Sequence, residues 1–153
     1  EVSVVPVFTS LDEIVELAGM ELGESDWVVV DKDRIDRFAD VTGDMEWIHV
    51  DLERAAAGPF GGAIAHGLVT LSLIPMLREE FFQIDTPGAR LNYGFNRVRF
   101  PAPVPVDSRV RATARVLSVE RVGTSVRMIT EFVIEIEGAD KPACVAEMVT
   151  FLT

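Results

Sequence analysis

The sequence predicts an α+β domain in which an antiparallel sheet follows, and wraps around, one apolar helix. Three observations predict it. The first half alternates capped, helix-period segments with short breaks. A stretch after His66-Gly67 is apolar nearly all round, the mark of a buried helix. From Ala89 onward the pattern turns to long alternating strands divided by Pro and Gly turns. The 153 residues fit one domain, residues 1–153, with a substantial core.

The elements follow in order. Ser10 caps a helix from Leu11 to about Met20, with Glu13 three residues on as in a capping box and Gly19 or Gly23 to end it. Trp27–Val30 is a β-branched run and reads as a strand. Asp31 or Asp33 caps a helix through about Val41, whose apolar face is Ile35, Phe38, Ala39 and Val41, and Gly43 stops it. Asp51 to Ala57 reads as a further short helix. The apolar helix runs from His66-Gly67 to about Phe82, and Pro75 must kink or split it. Strands are expected near Ala89–Phe100, Arg109–Val119, Ser125–Ile136 and Ala143–Leu152. Pro101–Pro105 makes a rigid extended turn, and Gly123 and Gly138-Ala139-Asp140 punctuate the rest.

Composition narrows the function. Apolar residues make up 48%, as in a globular protein, and the net charge of −11 argues against a nucleic-acid binder. The charge is uneven. Between Arg90 and Arg127 stand eight arginines against Asp107 and Glu120, a local balance of +6 that leaves −17 elsewhere. Such a stretch could meet the phosphates of a polyanionic ligand. Arg109, Arg111 and Arg115 share strand parity and are read as one solvent face, with Arg97 and Arg99 kept as ligand candidates. Residues 67–77 are too short and too polar to span a membrane. No leader is visible in Glu1–Pro6. The single Cys144 excludes an intrachain disulfide and fits a reducing, cytoplasmic setting, where it is read as packing.

Chemistry concentrates in two turns, Thr42-Gly43-Asp44-Met45-Glu46-Trp47-Ile48-His49 and Gly61-Gly62-Ala63-Ile64-Ala65-His66-Gly67. A carboxylate and an imidazole five residues apart can handle one water jointly, and N–H groups at the start of a helix can hold a carbonyl oxygen. Singly, Asp44 reads as a turn residue and His49 as a satisfied core histidine. Together they read as a catalytic pair. His66 reads as a packing residue at a helix start, and Gly67 as the donor of a backbone N–H. Gly62 is either a plain turn or a ligand contact. Ser72 is taken as buried, either bonding back to its own helix or orienting Asp44 or the water. Asp40 and Asp51 read as cap or solvent residues, although Asp51 could orient His49. No Gly-x-Ser-x-Gly elbow, zinc set or nucleotide loop occurs, so neither a metal nor a redox cofactor is expected.

These residues resemble the MaoC-like, (R)-specific enoyl-CoA hydratase family. Its signature runs aromatic-x-x-aliphatic-(Ser/Thr)-Gly-Asp-x-Asn-Pro-aliphatic-His, then Ala. Phe38, Val41, Thr42, Gly43, Asp44, Ile48, His49 and Ala55 or Ala56 occupy the matching places. Glu46-Trp47 replaces the usual Asn-Pro, as in the branch resembling nodulation protein N, and changes the pocket beside Asp44. Trp47 is accordingly a substrate-side candidate. The resemblance implies a hot-dog fold, a homodimer, and reversible hydration of a trans-2-enoyl thioester with coenzyme A as the substrate's handle. Rival readings are a dehydratase acting on acyl carrier protein, a non-catalytic acyl-thioester binder and, more distantly, a thioesterase.

Overall fold

The computed structural model describes residues 4–153. Residues 1–3, part of the segment read for a leader, lie outside the described residues. Strand β1 (Val7–Phe8) leads into helix α1 (Leu11–Val15). The Ser10 hydroxyl accepts from the Glu13 N–H at 3.2 Å, and the Glu13 carboxylate accepts from the Thr9 N–H at 2.7 Å. The helix ends before Met20 because the sheet claims the chain there. Gly19, at φ 81°, donates its N–H to the Val116 carbonyl at 2.8 Å. Strand β2 (Glu21–Glu24) and strand β3 (Val28–Val30) then pair with the same long neighbour. Only β3 shows the β-branched run the sequence pattern catches. The Glu-Leu-Gly-Glu of β2 has a single apolar residue.

Helix α2 (Lys32–Thr42) starts at Asp31, whose side chain accepts from the Arg34 N–H at 2.9 Å. It stops at Gly43 in the left-handed conformation, φ 76°, where a side chain would be strained. Two single-turn helices follow, α3 (Trp47–Val50) and α4 (Leu52–Ala56). The apolar helix is split in two, α5 (Gly67–Ser72) and α6 (Ile74–Arg78), with Pro75 in the first turn of the second. It ends four residues short of the expected Phe82. Nor is it buried all round, since Leu68 and Met76 are exposed. Strand β4 (Gln83–Ile84) pairs in parallel with β1.

Four long strands complete the chain: β5 (Arg90–Arg99), β6 (Ser108–Val122), β7 (Ser125–Ile136) and β8 (Cys144–Leu152). The antiparallel sheet has the order β2-β6-β7-β8-β5, with β3 also on β6. Its inner face is built from alternate residues, among them Val110, Ala112, Phe132, Ile134, Ala146 and Met148. These pack on Val69, Leu73, Ile74 and Leu77 of α5 and α6. Alanines at the sheet's centre let the helical segment approach closely. A sheet curled around one central helical segment is the hot-dog fold. Among the described residues no helix is long and apolar enough to cross a membrane.

The arginines of the basic stretch mostly face carboxylates. Arg109 pairs with Glu137 at 3.2 Å, Arg111 with Glu135 at 2.6 Å, and Arg121 and Arg127 with Asp12 and Glu120. Most of the local +6 is therefore a solvated sheet face, as parity suggested.

Candidate active site

Backbone bonds bring the two chemical turns together. The N–H of Ile64 donates to the Ile48 carbonyl at 3.0 Å, so residues 63–65 lie along α3. The same segment meets the proline-rich turn on its other side. There Ala65 N–H bonds the Val104 carbonyl at 2.8 Å, and Val106 N–H bonds the Ala63 carbonyl at 2.9 Å. The stiffness of residues 101–105 thus fixes the approach to His66 and Gly67.

His49 is buried, and its Nδ1 lies 2.7 Å from the Ile64 carbonyl. A carbonyl only accepts, so Nδ1 carries the proton and Nε2 is the nitrogen left for another partner. His66 is buried too, with Nε2 3.0 Å from the backbone carbonyl of Asp44. Its Nε2 must therefore donate. The rings stack with centroids 3.8 Å apart, and Phe38 packs on His66 from the other side at 5.0 Å. Among the described residues the buried His66 Nδ1 has no hydrogen-bond partner. His66 thus holds the loop that carries Asp44 and supports the face of His49.

Asp44 follows the Gly43 cap directly. Its Oδ1 accepts from the Glu46 N–H at 3.3 Å, so the carboxylate also closes a local turn. One oxygen or nitrogen from each of Asp44, His49 and His66 lies within 4.8 Å of the others. One water donating to both the carboxylate and the His49 Nε2 can bridge up to about 5.6 Å, twice an ordinary hydrogen bond. One carboxylate and two imidazoles are also the composition of a metal triad. One nitrogen of each ring is already engaged, His49 Nδ1 with the Ile64 carbonyl and His66 Nε2 with the Asp44 carbonyl. Asp44 is exposed while both histidines are buried, so the site is open on the carboxylate's side.

Gly67 opens α5, and its N–H has no intrahelical partner. A Cβ there would come within 2.9 Å of the Phe100 ring, which explains the glycine sterically. Gly61 needs its own freedom, at φ 69°, whereas nothing lies within 4 Å of a Cβ placed on Gly62. Between α2 and α5 runs an open groove of about 430 Å³, with Phe38, Val41, Val69, Ser72 and Leu73 on its walls and Arg34 and Arg37 at its rim. Phe38 is shared with the histidine stack.

Several expectations are corrected. Ser72 is exposed in this groove, not buried beside Asp44, because α5 turns that face away from the sheet. Asp51 caps α4 through the Arg54 N–H at 3.0 Å, and the Ile64 carbonyl orients His49 instead. Trp47 carries Arg54 over its ring at 4.3 Å and packs on Gly58, where a Cβ would lie 2.9 Å from the ring. That makes it a surface clamp between α3 and α4. Arg97 and Arg99 stand opposite Glu147 and Val145 in register, while the intervening Val98 packs inward. Both arginines therefore lie on the sheet's outer face and are not brought together with Asp44 and His49 in this protomer. Cys144 is buried, and burial pushes its thiol up to about 11 while the Thr70 hydroxyl pulls the other way. It is a packed thiol. Sequence reasoning missed the holding role of His66, whose only signal was its place before Gly67.

Comparison with known proteins fits this geometry. The model of the MaoC like domain matches residues 13–137. 3-Hydroxyacyl-thioester dehydratase Z of Mycobacterium tuberculosis is 50% identical over 143 residues, covering 93% of this chain and 95% of that one. Nodulation protein N of Rhizobium leguminosarum bv. viciae is 43% identical over 153 residues, covering 94% and 91%. Among solved structures, the unliganded R-hydratase PhaJ1 from Pseudomonas aeruginosa superposes with a TM-score of 0.65 at 26% identity, covering 87% of this chain and 79% of that one.

Proposed function

The chain belongs to the MaoC-like domain family, and from that premise we propose that it reversibly adds water to a trans-2-enoyl-CoA to give the (3R)-hydroxyacyl-CoA. It is a hydro-lyase of the hydratase and dehydratase kind. The observation that carries the proposal is the approach of the Asp44 carboxylate to within 4.8 Å of a His49 ring nitrogen, with Nδ1 tied to the Ile64 carbonyl. In the hydration direction a water donates one O–H to the Asp44 carboxylate and the other to His49. Its free lone pair is left for C3 of the enoyl group. Asp44 takes the proton as the C3–O bond forms, and the C2=C3 electrons move to the thioester oxygen. The Gly67 N–H holds that oxygen. The proton is then returned through the Asp44–His49 pair to C2 on the same face. A backbone donor of this kind is worth about 2.7–4 kcal/mol to the barrier. The scheme uses no metal and no redox cofactor, and coenzyme A is the substrate's handle.

The groove along Phe38, Val41, Val69 and Leu73 adjoins the histidine stack and suits the acyl chain. Its apolar wall and exposed Ser72 place it on the open side of α5. The open flank of Asp44 and the exposed edge strand β5, with Leu91, Tyr93 and Phe95 exposed, support a homodimer in which the partner covers the site. A net charge of −11 favours coenzyme A over an acidic carrier protein.

The test is a panel of trans-2-enoyl thioesters, on coenzyme A and on acyl carrier protein, followed by loss of enone absorbance with the product's configuration determined. The expected result is turnover on coenzyme A to the (3R) product. Turnover confined to the carrier protein would replace the handle. A (3S) product, or thioester hydrolysis without hydration, would overturn the reading.

A further inference from the structure

The interior holds a second polar cluster, between α6 and the sheet. Seven polar or charged residues are buried among those described, and three of them, Arg78, Thr130 and Thr150, border one small cavity. The cavity measures about 140 Å³ and lies between α6 and the inner face of β7, β8 and β5. At about 30 Å³ per liquid water it has room for four or five waters, or for a short organic acid. Arg90 and Asn92 of the edge strand complete its polar wall, and Met128, Phe132 and Met148 supply an apolar one.

Its charge is unbalanced. Arg78 is 7% exposed, and among the described residues the hydrogen-bond partner of its guanidinium is Glu79 Oε1 at 2.9 Å. Arg90 lies 3.7 Å from the same oxygen. Two guanidinium groups therefore share one carboxylate, which is itself nearly half exposed. A guanidinium carries five N–H donors, and one bond to Glu79 leaves most of those on Arg78 for the cavity. Burial, then Arg90, pushes Arg78 down to about 10, while Glu79 pulls it up, so the group remains charged at neutral pH. A buried cation with one half-share of a counter-charge is costly, and a second anion would remove that cost.

We propose that this cavity is a binding site for a carboxylate carried on a short aliphatic chain, its head between Arg78 and Arg90 and its tail on Met128, Phe132 and Met148. Planar forked donors suit a carboxylate, and Asn92 and the two threonine hydroxyls add neutral partners. The carboxylate is that of a free acid, since the cavity shares no residue with the groove assigned to the acyl chain. The site is separate from Asp44 and His49 and stands whatever reaction they perform.

Calorimetric titration of the intact protein with butyrate, and with butyramide as its uncharged counterpart, tests the proposal. Butyrate should bind at least about tenfold more tightly than butyramide, the scale of one charge-assisted hydrogen bond. Arg90→Gln should weaken butyrate at least about fivefold. Arg90 is one-third exposed, so the variant should fold. Glu79→Gln removes the competing carboxylate and should tighten butyrate, an effect that a purely structural Arg78 would not produce. Equal binding of the two probes, or indifference to both substitutions, overturns the site.

Discussion

His66 makes three contacts that its place ahead of a helix does not announce. It binds the Asp44 carbonyl, stacks on His49 and rests on Phe38. The side-chain nitrogen of glutamine reaches about where Nε2 sits, and that of asparagine where Nδ1 sits. His66→Gln should therefore keep kcat on crotonyl-CoA within about threefold, and His66→Asn should lose about tenfold with KM little changed, the size of one lost hydrogen bond. Equal losses in both variants would make the ring's packing, not its bond, the relevant property. Gly67→Ala tests the neighbouring donor. Its methyl meets Phe100 and should lower stability by about 1–3 kcal/mol in thermal denaturation, with Phe100→Ala restoring much of it. At this scale the sequence is readable where one short span holds every part. Asp44 and His49 are five residues apart, directly after Gly43, whose left-handed turn only glycine adopts cheaply. Where Arg97 and Arg99 would stand was not readable in the same way. Local charge does not tell which face a strand turns to its neighbours, and the register slips between Phe95 and Arg97.

Among the elements, α2 illustrates how a cap positions a reacting group. Gly43 ends the helix at φ 76°, and Asp44 leaves from it. Gly43→Ala should cost about 1–2 kcal/mol in urea denaturation and reduce turnover as well, since the strain falls beside the carboxylate. Strand β8 offers a second test through Cys144. A thiol held near 11 against an ordinary 9.0 favours the folded state below pH 9, and that contribution is lost as pH rises from 9 towards 11. Wild-type stability should fall more steeply across that window than that of Cys144→Ala in chemical denaturation. Strong local signals made α2, β3 and the four long strands legible. The missed elements, β1, β2, β4 and α3, have two to four residues each. Tertiary pairing creates them: β1 and β4 exist by meeting each other, and β2 by meeting β6.

For the whole molecule, the open flank of Asp44 and the exposed β5 edge make one prediction. Leu91 of β5 stands opposite Phe151 of β8, and Tyr93 meets the Phe151 ring edge-on at 5.0 Å. Phe95 opposes Met148 on the inner face. Charging the edge with Leu91→Lys and Phe95→Lys should convert a dimer to a monomer in sedimentation velocity and take turnover with it. A fully active monomer would show that one protomer holds the whole site. The number of copies was not legible in the periodicity of the strands, because an edge is defined only once strand order is known.

The central claim is that Asp44 is the base acting on the water. Its direct test is dehydration of (3R)-hydroxybutyryl-CoA and hydration of crotonyl-CoA by Asp44→Asn, a change that keeps size and removes the charge. The account predicts a loss of about 10²–10⁴-fold in both directions, with the melting temperature unchanged. Turnover near that of the wild type in a folded Asp44→Asn protein would contradict it.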